Sequence, residues 1–469
     1  MKLSQLVNAI SIVSVSIAIN ALQLFSSILP TPVADAVLYL SIAGDLNTFG
    51  VFTNGLWSAV SAAGAPDPGM FFAPLYPAFL SVLMGLSPEF AEFAGCVVAQ
   101  VDQSDGALCP HISNVATFAQ LALAVISATL VYVGAFIVCR SRVCAWLAML
   151  LALGTGEYAY YAAQFMTENL TFPLFTVASI GLVCVWRRPG IALWGAVGFA
   201  FALLVLTRPS FLYLFYVVLL CQLVVFPVHD APRFKTRFLY CFACLAGFGV
   251  AAGPWILRNW IVLDTAAVTA GYSSYILVQR VAFNAMSLQE WLVSFIYWLP
   301  DFGDKLAGQL FDAGVYRRLA FDGSDTFYQV GNTSLQEATL AAAGTPNAHL
   351  GYVIREYVFG QLPKHSMVTI ALAWRGMWVA QYWGLVAIPV FILVLLAAVR
   401  RGWHEFVVFV LPAWFMLGFH AFVSVNVVRY NLILIPGLAT AVAWGVWQTG
   451  EKATGFIHKI WNGKGRVGG

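Results

Sequence analysis

Asn114-Val-Ala-Thr-Phe-Ala-Gln-Leu-Ala-Leu-Ala-Val-Ile-Ser-Ala-Thr-Leu-Val-Tyr-Val-Gly-Ala-Phe-Ile-Val138 carries no charge from end to end, and Cys139-Arg140-Ser-Arg142 follows at once. A run of roughly 18 or more apolar residues is long enough to cross the hydrocarbon of a bilayer. Arginines just beyond such a run mark the end that stays on the cytoplasmic side. The pattern recurs along the chain, which is 61% hydrophobic and 10% charged, whereas soluble domains are about a quarter charged. The reading is an all-α polytopic membrane protein. A formal net charge of +3 is too small to point to a nucleic-acid partner.

Working outward from 114–138, about ten spans are expected, near 7–29, 114–138, 144–157, 168–185, 191–206, 210–227, 238–256, 378–398, 405–423 and 431–448. Ala34-Asp35-Ala36 resembles the small-residue cleavage site of a signal peptide. The run before it is long enough to span, however, and more spans follow, so a first transmembrane helix is preferred. With a cytoplasmic N-terminus, the even-numbered connections are cytoplasmic too. They hold Arg140 and Arg142, Arg187 and Arg188, Arg233/Lys235/Arg237, and Arg400/Arg401, and the tail adds Lys452, Lys459, Lys464 and Arg466. Of the acids, Asp230, Glu405 and Glu451 fall on that basic side and the rest nearly all on the other. The expected location is the inner (plasma) membrane, multi-pass, among membrane lipids, with both termini cytoplasmic.

Two outer connections are long, about 30–113 and 258–377, and divide the chain into 1–257, 258–377 and 378–469. Their apolar stretches 37–47, 71–86 and Trp291–Leu299 are too short to span, so they lie in the interface or cap the bundle. Loops of this length in a compact protein usually carry function, which puts a candidate site at the outer face. Cys96 and Cys109 fall in the first outer loop, where an oxidising compartment allows a disulfide. Cys241-Phe-Ala-Cys244 has redox or metal spacing but sits in an apolar helix, where packing is the plainer reading. The sequence offers no strong metal site and demands no cofactor, although it is compatible with a divalent metal.

The expected span interiors hold almost no ionisable side chains, His420 excepted, and His420 is expected to be a hydrogen-bonded packing residue. A pump normally needs such groups inside the bilayer. At the outer ends the picture differs. In Asp35-Ala-Val-Leu-Tyr39-Leu-Ser-Ile-Ala43-Gly-Asp45, a helix would put Asp35, Tyr39, Ile42/Ala43 and Leu46 on one face, with Asp45 on another and solvated. Asp35 is then either a helix cap or a base placed at the membrane surface, and the two roles are compatible. Glu157 and Glu168 flank the second, short outer loop, where Glu168 either complements a helix dipole or serves a site. Thr207-Arg208-Pro-Ser, Pro254-Trp-Ile-Leu-Arg258-Asn and Val428-Arg429-Tyr-Asn place three arginines at the same face. Each either snorkels or joins a clamp on the phosphate of a lipid carrier.

Together these pieces resemble the GT-C superfamily of polytopic glycosyltransferases, in the bacterial branch related to the lipid A aminoarabinose transferase and to protein O-mannosyltransferases. The matching elements are Asp35-x-x-x-Tyr39-Leu-x-x-Ala43, Pro74-Leu-Tyr76-Pro77, Thr167-Glu168-Asn-Leu, Thr207-Arg208-Pro-Ser, Pro254-Trp-x-x-Arg258-Asn and Arg429-Tyr-x-x-x-x-x-Pro436, in the family's order. Residues 270–365 match least. The resemblance implies a GT-C-like bundle, a polyprenyl-phosphate-sugar donor, inversion at the anomeric carbon, and Asp35 as base. It implies a secondary acidic role for Glu168 near the acceptor or donor sugar. Arg208, Arg258 and Arg429 would hold the carrier phosphate, with Tyr39 and Tyr76 as further substrate contacts. Protein O-mannosyltransferases have an Asp-Glu pair where this chain has Asp35-Ala36, which favours a glycan or lipid-linked acceptor over a protein. Two other classes stay open. One is a transporter or flippase of a lipid-linked glycan; the other is a non-catalytic assembly subunit that docks partners on its long loops.

Overall fold

A computed structural model describes residues 3–26, 34–58, 66–100, 109, 114–226 and 233–463. Lys2, Asp230, Lys464 and Arg466 of the expected charge pattern lie outside the described residues, as do the last residues of the spans expected at 7–29 and 210–227. The described chain is helical, with no β-strand. In order come α1 (Leu3–Ser26), α2 (Ala34–Phe49), α3 (Leu75–Leu86), α4 (Pro88–Ala99), α5 (Asn114–Cys139), α6 (Arg142–Gly154), α7 (Glu157–Gln164) and α8 (Glu168–Arg187). Then follow α9 (Ile191–Thr207), α10 (Phe211–Val224), α11 (Arg233–Leu263), α12 (Tyr272–Ala282), α13 (Leu288–Tyr297), α14 (Gly303–Leu310) and α15 (Ala313–Tyr316). The last are α16 (Phe327–Asn332), α17 (Ser334–Ala343), α18 (Pro346–Val353), α19 (Leu362–Met377), α20 (Tyr382–Arg400), α21 (His404–Val423) and α22 (Ile435–Gly463).

Every one of the ten expected spans falls on a helix, but among the described residues seven helices have the length and apolarity to cross a membrane. They are Ser4–Phe25, Val115–Cys139, Glu168–Arg187, Arg233–Leu263, Tyr382–Arg400, His404–Val423 and Val428–Glu451. The segment expected at 144–157 is a broken pair, α6 and α7, bent by 47°, which gives an eighth crossing if the two form one span. Helices α9 and α10 are apolar but have 17 and 14 residues. At 1.5 Å per residue, α10 reaches only about 21 Å of a hydrocarbon layer about 30 Å thick. The outward faces support a lipid environment: Phe25, Phe234, Phe242, Val250 and Ile261 are all exposed, and apolar surface on that scale marks an interaction with membrane or protein. The chain is a helical, multi-pass membrane protein by the length and composition of its helices.

Close helix contact in the bundle relies on glycine. A Cβ on Gly198 of α9 would lie 1.9 Å from the Cys244 carbonyl oxygen of α11, and one on Gly247 would lie 2.0 Å from the Gly195 oxygen. Small residues permit such an approach where lipid gives helices no hydrophobic drive to associate. Cys244 is buried there as a free thiol, in line with the packing reading of Cys241 and Cys244.

The two ends of the bundle differ in chemistry. At one end Glu405 of α21 pairs with Arg140 and Arg187, each at 3.3 Å, so a basic-side acid serves the basic loops. Helix α8 runs from Arg187 at that end to Glu168 at the other, about 30 Å over its 20 residues. The apolar stretches of the two long connections form α2, α3 and α13 at that second end. Helices α2, α3 and α4 share a core containing Leu40, Tyr76, Leu80 and Phe90, which reaches Phe165 and Met166 in the α7–α8 turn. Cys96 of α4 is disulfide-bonded to Cys109.

The second long connection is an assembly of helices, α12–α19, pinned to α21 by Arg280. That side chain is fully buried. It donates to the Ala421 carbonyl (2.7 Å), Asn284 Oδ1 (3.1 Å), the His365 carbonyl (2.9 Å) and Thr369 Oγ1 (3.0 Å). Helix α13 is tied to α19 by Trp291, whose indole donates to the Met367 carbonyl, and by Trp374, which donates to the Phe295 carbonyl, both at 2.9 Å.

Candidate functional site

At the end opposite Glu405, two carboxylate–arginine pairs meet on one tyrosine. Asp35 is the second residue of α2, where an acid complements the helix dipole. Its Oδ2 accepts from Arg429 Nη2, 394 residues further on. Glu168 opens α8 and pairs with Arg208 Nη1 at 3.3 Å. The Glu168 side chain is 2% exposed and that of Arg208 18%, with Thr167 Oγ1 donating to Glu168 Oε2 at 3.3 Å. The Arg208 guanidinium lies 4.9 Å from the Tyr430 ring centroid and that of Arg429 lies 5.4 Å from it. Arg429 also feels the Glu168 carboxylate. Two acids and two arginines thus form one electrically balanced cluster, and Asp35 and Arg429 are its more accessible pair (41% and 27% exposed).

Tyr39 lies one turn along α2 from Asp35, on the face its spacing predicts. Burial, and then the Asp35 charge, push its phenol above the ordinary range, and it also feels Arg208, Glu168 and Arg429. Its phenol therefore keeps its proton. Tyr76 is not beside it at the surface but behind it. It is fully buried, meets Tyr39 edge-on at 5.6 Å between centroids, and accepts a hydrogen bond from Gln120 Nε2 at 2.8 Å. Tyr76 therefore orients Tyr39 instead of presenting its own hydroxyl.

Arg258 does not join the cluster. Its Nη1 donates to the Gly69 carbonyl (2.7 Å) and to Asn259 Oδ1 (2.9 Å), its Nη2 donates to the Phe52 carbonyl (3.0 Å), and it stacks on Trp255. With its terminal N–H groups spent on these neutral oxygens, it ties Phe52 and Gly69 of the first long connection to α11. Asp45, on a different face as expected, is half-buried: it accepts from Thr53 Oγ1 at 2.5 Å and holds the loop, and partial burial raises its pKa.

Sequence reading missed the supporting shell. Tyr430 was quoted only as a neighbour of Arg429, yet it is the ring both arginines share. Tyr272 edges toward Tyr39 through Phe72, and its phenol is pushed up by burial and then by Tyr430, Tyr39 and Asp35. No local motif announces it. His420 is buried and hydrogen-bonded, as expected, and bridges the turns that carry Arg208 and Arg429: its ring nitrogens lie 3.3 Å from Ser210 Oγ and 3.4 Å from Asn431 Oδ1. Asn431 Nδ2 donates to Asn426, so its oxygen is the acceptor. The ring therefore donates from Nδ1 to Asn431 and accepts from Ser210 at Nε2.

Among the described residues no group of three His, Cys, Asp or Glu side chains is placed to hold a metal. The fold and site define a helical membrane protein with a paired-charge cluster at one end of its bundle. No family model matches the chain, and no curated protein matches it either.

Proposed function

We propose that the chain is an inverting glycosyltransferase of GT-C type. It would move a sugar from a polyprenyl-phosphate-linked donor to a glycan or lipid-linked acceptor at the outer face of the inner membrane. The observation that carries this reading is the arrangement of Asp35 and Glu168 against Arg429 and Arg208 around Tyr430. It unites a candidate base with two candidate phosphate ligands at one end of the bundle.

In this mechanism a donor phosphate takes over the Arg429 and Arg208 guanidinium forks, which suit its geometry. Its arrival breaks the Asp35–Arg429 contact and frees the Asp35 carboxylate. Asp35 then removes the acceptor hydroxyl's proton as that oxygen attacks the anomeric carbon. The C–O bond to phosphate breaks, the lipid phosphate leaves with the electron pair, and the arginines stabilise the charge it gains. One displacement with one base inverts the centre; retention would need a nucleophile and a second step. Tyr39, held protonated, donates to the phosphate or sugar. Glu168 positions Arg208. Arg258 contributes by holding the first outer loop over the site.

The test compares lipid-linked glycans, by mass spectrometry, from a deletion strain complemented with wild type, Asp35→Asn or Arg429→Gln. Asp35→Asn is expected to cut transfer by about 10²–10⁴-fold, the usual worth of a general base, while carrier binding by the purified protein stays intact. Unchanged transfer by Asp35→Asn would sink the reading. A protein that only flips its lipid would tolerate Asp35→Asn and fail with Arg429→Gln.

A further inference from the structure

A cavity of about 710 Å3 opens beside Arg429, between the start of α7, the ends of α13 and α19, and residues 428–432. That volume falls in the range of small-molecule sites. Tyr161, Tyr297, Trp298 and Trp378 supply flat apolar faces in its wall, and Glu157, Asp301 and Gln381 supply acceptors. Neither acid is ion-paired among the described residues. Among the described residues of the wall, the cation besides Arg429 is Arg375, which is 7% exposed.

Among the described residues no carboxylate lies within ion-pair distance of Arg375, and its buried Nη1 has no hydrogen-bond partner. The guanidinium lies 4.1 Å from the Phe321 centroid and 5.1 Å from that of Trp298. Aromatic faces recover about 2 kcal/mol for a desolvated cation, but they offer no acceptor to its N–H groups. The indole Nε1 of Trp378, in the same wall, is likewise buried without a partner. Arg280 is the internal control: as deeply buried, it has a neutral oxygen for its Nε and for both terminal nitrogens. The fold thus satisfies a structural arginine fully in one place. Beside the cavity it leaves two donors without acceptors, although an unsatisfied buried donor costs about 1–3 kcal/mol, more for a charged one.

We infer that this cavity is the acceptor subsite and takes a saccharide bearing one anionic group, a carboxylate or a phosphate, held by Arg375 and the Trp378 indole N–H. The aromatic faces cover the sugar's C–H surface, and Glu157, Asp301 and Gln381 accept from its hydroxyls. The Asp301 carboxylate repels a bare anion, so the ligand brings its charge to Arg375 and its hydroxyls to Glu157, Asp301 and Gln381. That the saccharide is the acceptor rests on the transferase reading; that the cavity binds it does not.

Titrations of the purified full-length chain, followed by tryptophan fluorescence and calorimetry, test this with matched gluco, galacto and manno probes. The probes are methyl hexosides, methyl hexuronides, hexose 6-phosphates and inorganic phosphate. At least one charged series should bind tenfold or more tightly than its neutral counterpart, and the tighter series identifies carboxylate or phosphate. Arg375→Gln should abolish the preference and leave neutral binding within twofold, and Arg375→Lys should restore part of it. Equal affinity for charged and neutral sugars overturns the inference, as does a preference that survives Arg375→Gln. Inorganic phosphate binding as tightly as hexose phosphate overturns the saccharide assignment. If Arg375→Gln fails to fold, Trp378→Phe keeps the ring and removes the N–H. It should weaken charged binding several-fold, and unchanged affinity counts against the site. Asp35→Asn protein should bind the same probes, so a chain that binds anionic sugars without transferring any keeps the cavity and loses the transferase.

Discussion

Arg208→Gln should destabilise the protein more than Glu168→Gln, and the two losses should not add. The pair is 3.3 Å apart with its carboxylate 2% exposed. At an effective dielectric of about 20, the attraction at that distance is about 5 kcal/mol before desolvation is counted. Desolvation cancels much of this, so the net worth of the intact pair is small, but removing one partner is a different matter. Without Arg208, the Glu168 carboxylate keeps the Thr167 hydroxyl at 3.3 Å and the more distant charge of Arg429, so the loss sits at the low end for a broken buried pair, about 3 kcal/mol. Without the Glu168 charge, Arg208 still stacks on Tyr430, is partly exposed, and can donate to the glutamine oxygen. That loss is about 1–2 kcal/mol. The double variant should therefore recover about 2 kcal/mol relative to the sum of the singles. The assay is equilibrium unfolding in mixed micelles of dodecylmaltoside and SDS, read by tryptophan fluorescence. Equal losses for the two singles, or additivity within about 0.5 kcal/mol, would refute the buried-pair reasoning.

Burial, and next the Arg280 charge, hold the His365 imidazole down at about 4, and its neighbours suit the neutral ring: Nε2 faces the Phe422 carbonyl at 3.0 Å and Nδ1 faces the Asn284 amide at 3.3 Å. The unfolded chain binds this proton near pH 6.5 and the folded one only near 4, so stability is full above about 6.5 and falls through that window. The loss, about 3 kcal/mol by pH 4, should vanish in His365→Gln when both are unfolded across the pH range. Gly198→Ala should cost about 1–3 kcal/mol by forcing α9 from α11, because its Cβ would meet the Cys244 oxygen at 1.9 Å; wild-type unfolding of the variant would reject that crossing. Replacing Cys96 and Cys109 together with serine should loosen the first outer loop by about 3 kcal/mol, the chain-entropy worth of closing a loop of this length. Faster hydrogen exchange in α4, with the bundle unchanged, is the expected readout.

The helices of this fold are written locally and its site is not, for a physical reason. An apolar run such as 114–138 needs no partner to declare itself, because in hydrocarbon a backbone must satisfy its own hydrogen bonds and a helix does so within the segment. Crossing a bilayer is a matter of length as well as polarity, and α9 and α10, apolar enough to read as spans, have 17 and 14 residues as helices. The charged residues at the helix ends are visible in the sequence for a related reason: a charge next to hydrocarbon stands out. What each charge does depends on what the fold brings to it. Arg208, Arg258 and Arg429 look alike in sequence, yet two meet carboxylates and share Tyr430, while the third is consumed by carbonyls of a loop almost 190 residues earlier. Asp45 and Asp35 lie on one helix, and a single hydroxyl from Thr53 makes the first a loop clasp. Arg375 is the extreme case. Nothing in Trp374-Arg375-Gly376 sets it apart, because what matters is the acceptor it lacks. A missing partner leaves no mark on sequence, so sites of that kind emerge only when the buried donors of a fold are counted one by one against their acceptors.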